Sequence, residues 1–372
     1  DFMEQRFGKV AGAGITITTV FSNVMWVAGM LVAFGAIFQV LTNIPVETGI
    51  IIGAVIVFVY TMVGGMWAVA LTDFFQMTII IFGLVVLLVV VLDDVGGWGH
   101  IAPSLPSGTF NMLPPENTAE QWLNYLRAWT IIGLVDISAQ TLFQRASAAK
   151  TEKIAQQAFY IGGAGYLLFG MIPVFLGIIG SVTMPDIANP EYIIPELAQQ
   201  HLHPVMIAIF VGAMLAAIMS SADSALLGAS SVLSRNVLPF FKRDPSPKLT
   251  LLVARLGIPL FGLVAILIAL RIQVVFDLMV DANILGLAAI IVPFILGVYW
   301  SKANRTGALS GMGAGLAVWL ITMQLWPNLP ADFMGLGASL VVMVIVSMLT
   351  QAFDPPRQLA DSDGNPVSAG PG

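Results

Sequence analysis

The sequence predicts an all-α polytopic membrane protein with about ten transmembrane helices. Three observations lead there. Only 10% of the 372 residues are charged and 58% are hydrophobic, whereas soluble domains carry about 25% charged residues. Mean hydropathy is +0.90. The apolar residues also come in long runs, such as Ile79 to Leu92 and Leu285 to Trp300. Runs near 20 residues match a hydrocarbon core roughly 30 Å thick.

Hydropathy and breakers place the spans at 15–42, 47–65, 68–92, 121–143, 155–182, 204–238, 249–270, 275–299, 307–326 and 333–352. Gly64-Gly65 is read as the break between the second and third. The stretch 93–119 is the longest loop, and 183–203 is a second long connection. If the start is cytoplasmic, thirteen of the 15 Lys+Arg fall on that side, including Lys9, Arg145, Lys150, Lys153 and Arg235. Only Arg127 and Arg271 fall outside, the bias expected of cytoplasmic loops. Both ends are then cytoplasmic in a multi-pass protein of the cell membrane. Residues 1–352 form one transmembrane domain, and 353–372, ending "DSDGNPVSAGPG", a polar cytoplasmic tail that composition predicts to be disordered.

The chain has no cysteine, which removes disulfides and thiolate metal sites. His201 and His203 stand two apart with no third ligand in view, so solvated loop residues are preferred to a metal site. Net charge is −6, and no nucleic-acid partner is expected. "DFMEQRFGKV" has no initiator Met and no signal peptide, and reads as an internal start.

Function should lie where polar groups enter the spans, because each ionised group at a helix centre costs about 2.5–3.5 kcal/mol. Asp73, Asp136, Asp223, Asp277 and Asp281 are the candidates, with Asp277 placed near an outer edge. "AAIMSSADSALLGASSVLSRN" puts Ala217, Ser220, Ser221 and Ser224 at spacings of 0, 3, 4 and 7, on one helical face. Hydroxyls, carbonyls and a carboxylate are the ligands a hard cation such as Na⁺ takes. The bland alternative is back-bonding to the helix or close packing of small residues. That alternative is preferred for Ser230, Ser231 and Ser234, and ion binding for the first three serines. "YTMVGGMWAVALTDFFQ" carries Asp73 with no Lys or Arg in the neighbouring spans, so a proton or bound cation should neutralise it. "DISAQTLFQRASAAKTEK" carries a polar stripe of Asp136, Gln140 and Gln144, then Arg145, read as a headgroup anchor. No GxGD motif supports an aspartyl protease, and no filter-like loop supports a channel.

Together "VGGMWAVALTDFFQ", "LFQRASAAK" and "AAIMSSADSALLGASSVLSRN" resemble the sodium/solute symporter family, closest to its high-affinity choline transporter-like branch. The resemblance runs from the start to about Ala352. It implies a leucine-transporter-like fold of two inverted five-helix repeats, with the first two core helices preceding Asp1. It implies sodium at the carbonyls of Ala217 and Ser220 and the hydroxyl of Ser221. A further sodium would use Asp73, with Ser224 and Asp223 as neighbours; Asp223 stands where some members have a hydroxyl. Substrate-binding positions are Trp26, Asp136 and Gln140, and Ala139 replaces an aromatic of the choline branch. The expected function is sodium-coupled import of a small polar organic solute, amine or choline-like, by alternating access, and not enzymatic catalysis. The alternative is a transporter-like sensor domain of a signalling protein.

Overall fold

The computed structural model describes residues 2–360 and 366–367. Of these, the side chains of 63–69, 140, 360 and 366–367 lie outside the described set.

The chain opens with a short helix α1 (Phe2–Phe7) and then α2 (Lys9–Thr42). Asn43 ends α2 in the left-handed region, its N–H bonded to Gln39 O, a common way for helices to stop. Next comes α3 (Val46–Asp94), whose backbone is helical straight through Gly64-Gly65. The expected break there is not seen as a gap in the helix. Yet a straight helix of this length would be about 70 Å long, and its two ends sit on the same side of the bundle. Gln199 donates to Val40 O just before α3 starts, and two residues on, His201 meets Asp94 Oδ2 at 2.9 Å. The run therefore doubles back, and its two apolar stretches are Val46–Met62 and Ala70–Asp94.

After α4 (Trp98–Ile101) and an irregular stretch, Thr118 caps α5 (Ala119–Trp129) by accepting from Gln121 N. The predicted span 121–143 is not one helix. A π-turn covers Thr130–Leu134, a 3-10 turn covers Val135–Ser138, and Ala139 is extended before α6 (Gln140–Ala148). Then follow α7 (Glu152–Thr183), α8 (Ile193–His201) and α9 (Pro204–Val232). A π-turn (Leu233–Val237) leads to the short α10 (Leu238–Phe241). Ser246 caps α11 (Pro247–Ala269), with Pro247 in its first turn. Two helices, α12 (Val275–Ala289) and α13 (Ile291–Tyr299), meet at a 44° bend. The hairpin of α14 (Arg305–Leu325) and α15 (Ala331–Thr350) completes the bundle.

Among the described residues, seven helices are long and apolar enough to cross a membrane, or eight if the bent pair is one span. The other two of the ten predicted spans are the short stretch Val46–Met62 and the interrupted α5–α6. In the tail, Leu359–Ala360 pair antiparallel with Pro366–Val367, while 361–365 and 368–372 lie outside the described residues.

Helix α2 is the axis of the bundle. Its most apolar window is 61% buried, against 17–28% for the other six. Phe34, Leu31 and Val27 pack there against Ile50, Ala54 and Val57 of α3 and Ile218 and Leu226 of α9. A second core joins Phe7 to Leu287, Ile291 and Met343, and a third joins Leu87, Leu176, Leu197 and Phe210. Outer helices show the reverse pattern. On α11, Leu252, Leu256, Leu260, Leu263 and Leu267 are each more than half exposed, while Gly257, Gly262, Ala265 and Ala269 face inward. An exposed leucine stripe opposite small residues suits a helix between hydrocarbon and close-packed neighbours.

Polar clasps hold the ends. Asn304, fully buried, caps α14 through Gly307 N and donates to Thr350 Oγ1 and Asp354 O. Arg127 Nε on α5 donates to both carboxylate oxygens of Asp332 on α15, at 2.9 and 3.0 Å. Asp332 is only 1% exposed. Removing the guanidinium strands a buried carboxylate, which costs about 3–5 kcal/mol in a fully buried pair. Arg127 is one-third exposed, so we expect about 2 kcal/mol for Arg127→Ala. A melting temperature in detergent no lower than that of the parent would refute this.

Candidate functional site

Helix α9 carries the serine file. Ser220, Ser221 and Ser224 face a cavity of about 560 Å³ in the middle of the bundle. Helix α2 supplies Thr19, Ser22, Asn23 and Trp26 to its wall, and α12 supplies Asn283 and Gly286. The broken segment supplies Asp136, Ser138 and Ala139, and α6 adds Thr141 and Arg145. Ser22 Oγ donates to Ala282 O at 2.6 Å, which pins α2 to α12 beside the cavity.

Asp136 reaches this wall because the helix fails around it. Its own carbonyl accepts from Ala139 N in the 3-10 turn, the last bond before the chain extends. Gln140 begins the next helix, so the backbone of that predicted substrate residue is beside the cavity; its side chain lies outside the described residues.

The expectation for Asp73 needs correction. Asp73 has a cation partner: Arg145 Nη2 donates to its Oδ2 at 2.7 Å. Ser220 Oγ donates to the other oxygen, Oδ1, in a short contact. Arg145 also donates to Ser224 Oγ at 2.9 Å. The residue read as a headgroup anchor is thus turned inward, binding α3 and α9 together. Breaking the span at 130–139 sets the direction of α6, and with it the aim of Arg145.

Ala217 and Asp223 stand apart from the other ion candidates. Ala217 lines a separate, mostly apolar cavity of about 480 Å³, with Phe210, Met214 and Met279. Helix α9 is regular through 217–220, so those carbonyls stay in the helical ladder. Asp223 is fully buried and is not in the cavity wall. Its Oδ1 accepts from Ser224 Oγ at 3.2 Å, and its Oδ2 has no partner among the described residues. Lone burial of an ionised carboxylate is costly, so Asp223 requires a proton or a cation that the described side chains do not supply.

The later serines behave as packing residues. Ser230, Ser231 and Ser234 each donate to the carbonyl three residues back, and Ser231 Oγ accepts from Gln144 Nε2. Ser221 differs from every other serine of the file. No hydrogen bond engages its hydroxyl among the described residues, and it faces the cavity. No group of three or more His, Asp or Glu suited to a metal occurs among the described residues, so His201 belongs to its pair with Asp94.

A third cavity, about 650 Å³, shares Thr19, Ser138 and Ile290 with the first and continues past Gln144, Ser147, Arg235 and Glu4. The serine site therefore opens toward the end of the bundle that bears Arg235. Sequence reasoning missed Thr19, Ser22, Asn23 and Asn283. Ser22, Asn23 and Trp26 do share a helical face, and that pattern inside an apolar run was a readable signal.

A family described as Sodium:solute symporter family matches residues 1–315. The human high affinity choline transporter 1 is 30% identical over 335 residues, covering 85% of this chain and 57% of that protein. The high-affinity proline transporter PutP of Bacillus subtilis is 29% identical over 372 residues, covering 94% of this chain and 76% of its own. The chain thus spans just over half the length of the choline transporters it matches. Among solved structures, a Na⁺-coupled sialic acid symporter in a substrate-bound outward-open state superposes with TM-score 0.79 at 20% identity, over 96% of this chain and 78% of that one. That likeness establishes a shared fold.

Proposed function

Since this chain belongs to the sodium:solute symporter family, we propose that it forms the transport core of a sodium-coupled secondary active transporter that imports a small polar organic solute by alternating access. Its choline, proline and sialic acid relatives are transporters and not enzymes, which favours transport over the sensor reading. The single observation that carries the proposal is Ser221: a hydroxyl with no hydrogen bond among the described residues, in the wall of a central cavity, beside Ser220 and Ser224.

In this reading Ser221 is a primary sodium ligand. Ala217 and Ser220 serve through their carbonyls only if a partner helix from outside this chain meets α9 there. Asp73, Ser224 and Asp223 make a second cation region, in which Arg145 already holds Asp73 and Ser224. Solute lies between Trp26, Asp136 and the start of α6 at Gln140. A cavity of about 560 Å³ is of the size small solutes use, roughly 300–1,000 Å³. Residues 1–352 are the membrane domain, built as inverted helical repeats in the cell membrane, with both ends and the 353–372 tail in the cytoplasm. The opening past Arg235 then faces the cytoplasm, and this conformation releases rather than captures solute. Each sodium moved inward contributes about 2.3 kcal/mol per 100 mV to that cycle.

The protein containing this chain should be stabilised by NaCl over KCl in detergent, because a ligand of the native state raises stability by mass action. Ser221→Ala should weaken the sodium response at least tenfold and reduce sodium-driven uptake in parallel. Equal stabilisation by both salts would remove the sodium assignment.

A further inference from the structure

The cavity wall contains two charged side chains, Asp136 and Arg145. Arg145 is already committed, with bonds to Asp73 and Ser224. The Asp136 carboxylate has no hydrogen bond or ion pair among the described residues; only its backbone carbonyl is used, by Ala139 N. Asp136 is exposed within this wall, on backbone released from the helical ladder. Across the same cavity lie the indole of Trp26 and the amides of Asn23 and Asn283. Asn23 Nδ2 has no partner among the described residues either. Among the described residues the site is thus one uncompensated carboxylate, one aromatic face and hydrogen-bonding amides.

We propose that the solute carried here bears a protonated amine with at least one N–H, and that Asp136 binds it as a charge-assisted hydrogen-bond acceptor. This rests on the transport reading and names the class of its solute. A protonated amine satisfies both the charge and the lone pairs of Asp136. A quaternary ammonium offers charge but no donor, and would leave those lone pairs without a direct partner from the solute. A neutral solute leaves the charge itself unbalanced. Sites built to hydrogen-bond a group reject analogues that lack it far more strongly than analogues that differ by a methylene. Trp26 adds attraction for the cation through its ring face.

The test begins with sodium alone. Stabilisation by NaCl over KCl, measured without solute, decides the transport reading independently of the solute's class. Sodium-loaded protein is then titrated with ethanolamine, its N-methyl and N,N-dimethyl derivatives and choline, beside panels of larger primary and secondary amines, sugars and carboxylic acids. The expected result is tightest binding by an amine that bears an N–H, with its quaternary counterpart at least tenfold weaker. Asp136→Asn should erase that preference and Asp136→Glu should restore part of it, with monodispersity in detergent as the check on folding. The proposal is overturned if a quaternary, neutral or anionic compound binds more tightly than the best amine, if no amine binds, or if Asp136→Asn leaves the preference intact. It is also overturned if Asp136→Asn abolishes the sodium response before any solute is added, since Asp136 would then be an ion ligand.

Discussion

On the proposed function, Asp73→Ala is expected to abolish sodium-driven uptake and to lower stability more than the double replacement of Asp73 and Arg145 by Ala. The cause is electrostatic. Arg145 reaches Asp73 at 2.7 Å from a neighbouring helix, with side-chain exposures of 43% and 21%. A fully exposed pair contributes about 0.2–1 kcal/mol, and stranding one partner of a buried pair costs about 3–5 kcal/mol. This pair lies between those limits, so we expect about 2 kcal/mol for Asp73→Ala. In that variant the guanidinium stays in a serine-lined site with only Ser224 as partner among the described residues. It then also occupies the place any cation must approach. Removing both charges removes the stranded group, so part of the loss returns, as double-mutant cycles reveal for residues in contact. Melting temperatures of the two singles and the double in the same detergent measure the coupling. Additive losses would show that the pair carries no interaction energy.

The second large effect is steric. A Cβ at Gly315 would collide with Ala288 O and come within 3.0 Å of Ser339 Cβ. At Gly335, on the facing helix, a Cβ would lie 2.8 Å from Gly315 O. Three helices, α12, α14 and α15, therefore touch backbone to backbone. In a bilayer, helices associate through this close approach, because apolar burial against lipid gains little. Gly315→Val forces the helices apart, and overpacking of this kind costs about 1–3 kcal/mol, occasionally more. We place it at the top of that range, about 3 kcal/mol, with a matching loss of monodisperse protein on purification. Gly313 supplies the control. It is two residues away on the same helix, with nothing within 4 Å of a Cβ there. Gly313→Val should be near neutral, and equal losses at the two positions would sink the packing argument.

Most of the architecture was legible because bilayer spans carry their signal in composition. Outer helices such as α11 are apolar on the exposed face as well as the buried one, and hydropathy finds them within a few residues. Interruptions were harder. Span 121–143 contains no proline, and its apolar residues Ile131, Ile132 and Leu134 hide a π-turn that only tertiary packing selects. The Gly64-Gly65 pair was legible as a boundary between two apolar stretches, Val46–Met62 and Ala70–Asp94, but not as helical backbone, since glycine weakens a helix without being obliged to end it. In the site, the face of Ser220, Ser221 and Ser224 followed from helical periodicity alone. The aim of Arg145 did not, because it depends on where α6 points after the break. The burial of Asp223 outside the cavity wall was not legible either; one residue along a helix is a turn of about 100°, which separates it from the face of Ser224.

The broken span has a mechanical consequence. Its outer arm, α5, is fastened to the α14–α15 hairpin by Arg127 and Asp332. Its inner arm, α6, is tied to α3 and α9 through side chains, Arg145 to Asp73 and Ser224 and Gln144 to Ser231. Between the arms lies the fulcrum, a stretch of π, 3-10 and extended backbone in which the α-helical ladder is interrupted. Asp136 is mounted on that fulcrum. If solute binds Asp136 as proposed, it would load the joint between the two arms, one held by Arg127 and the other carrying Arg145.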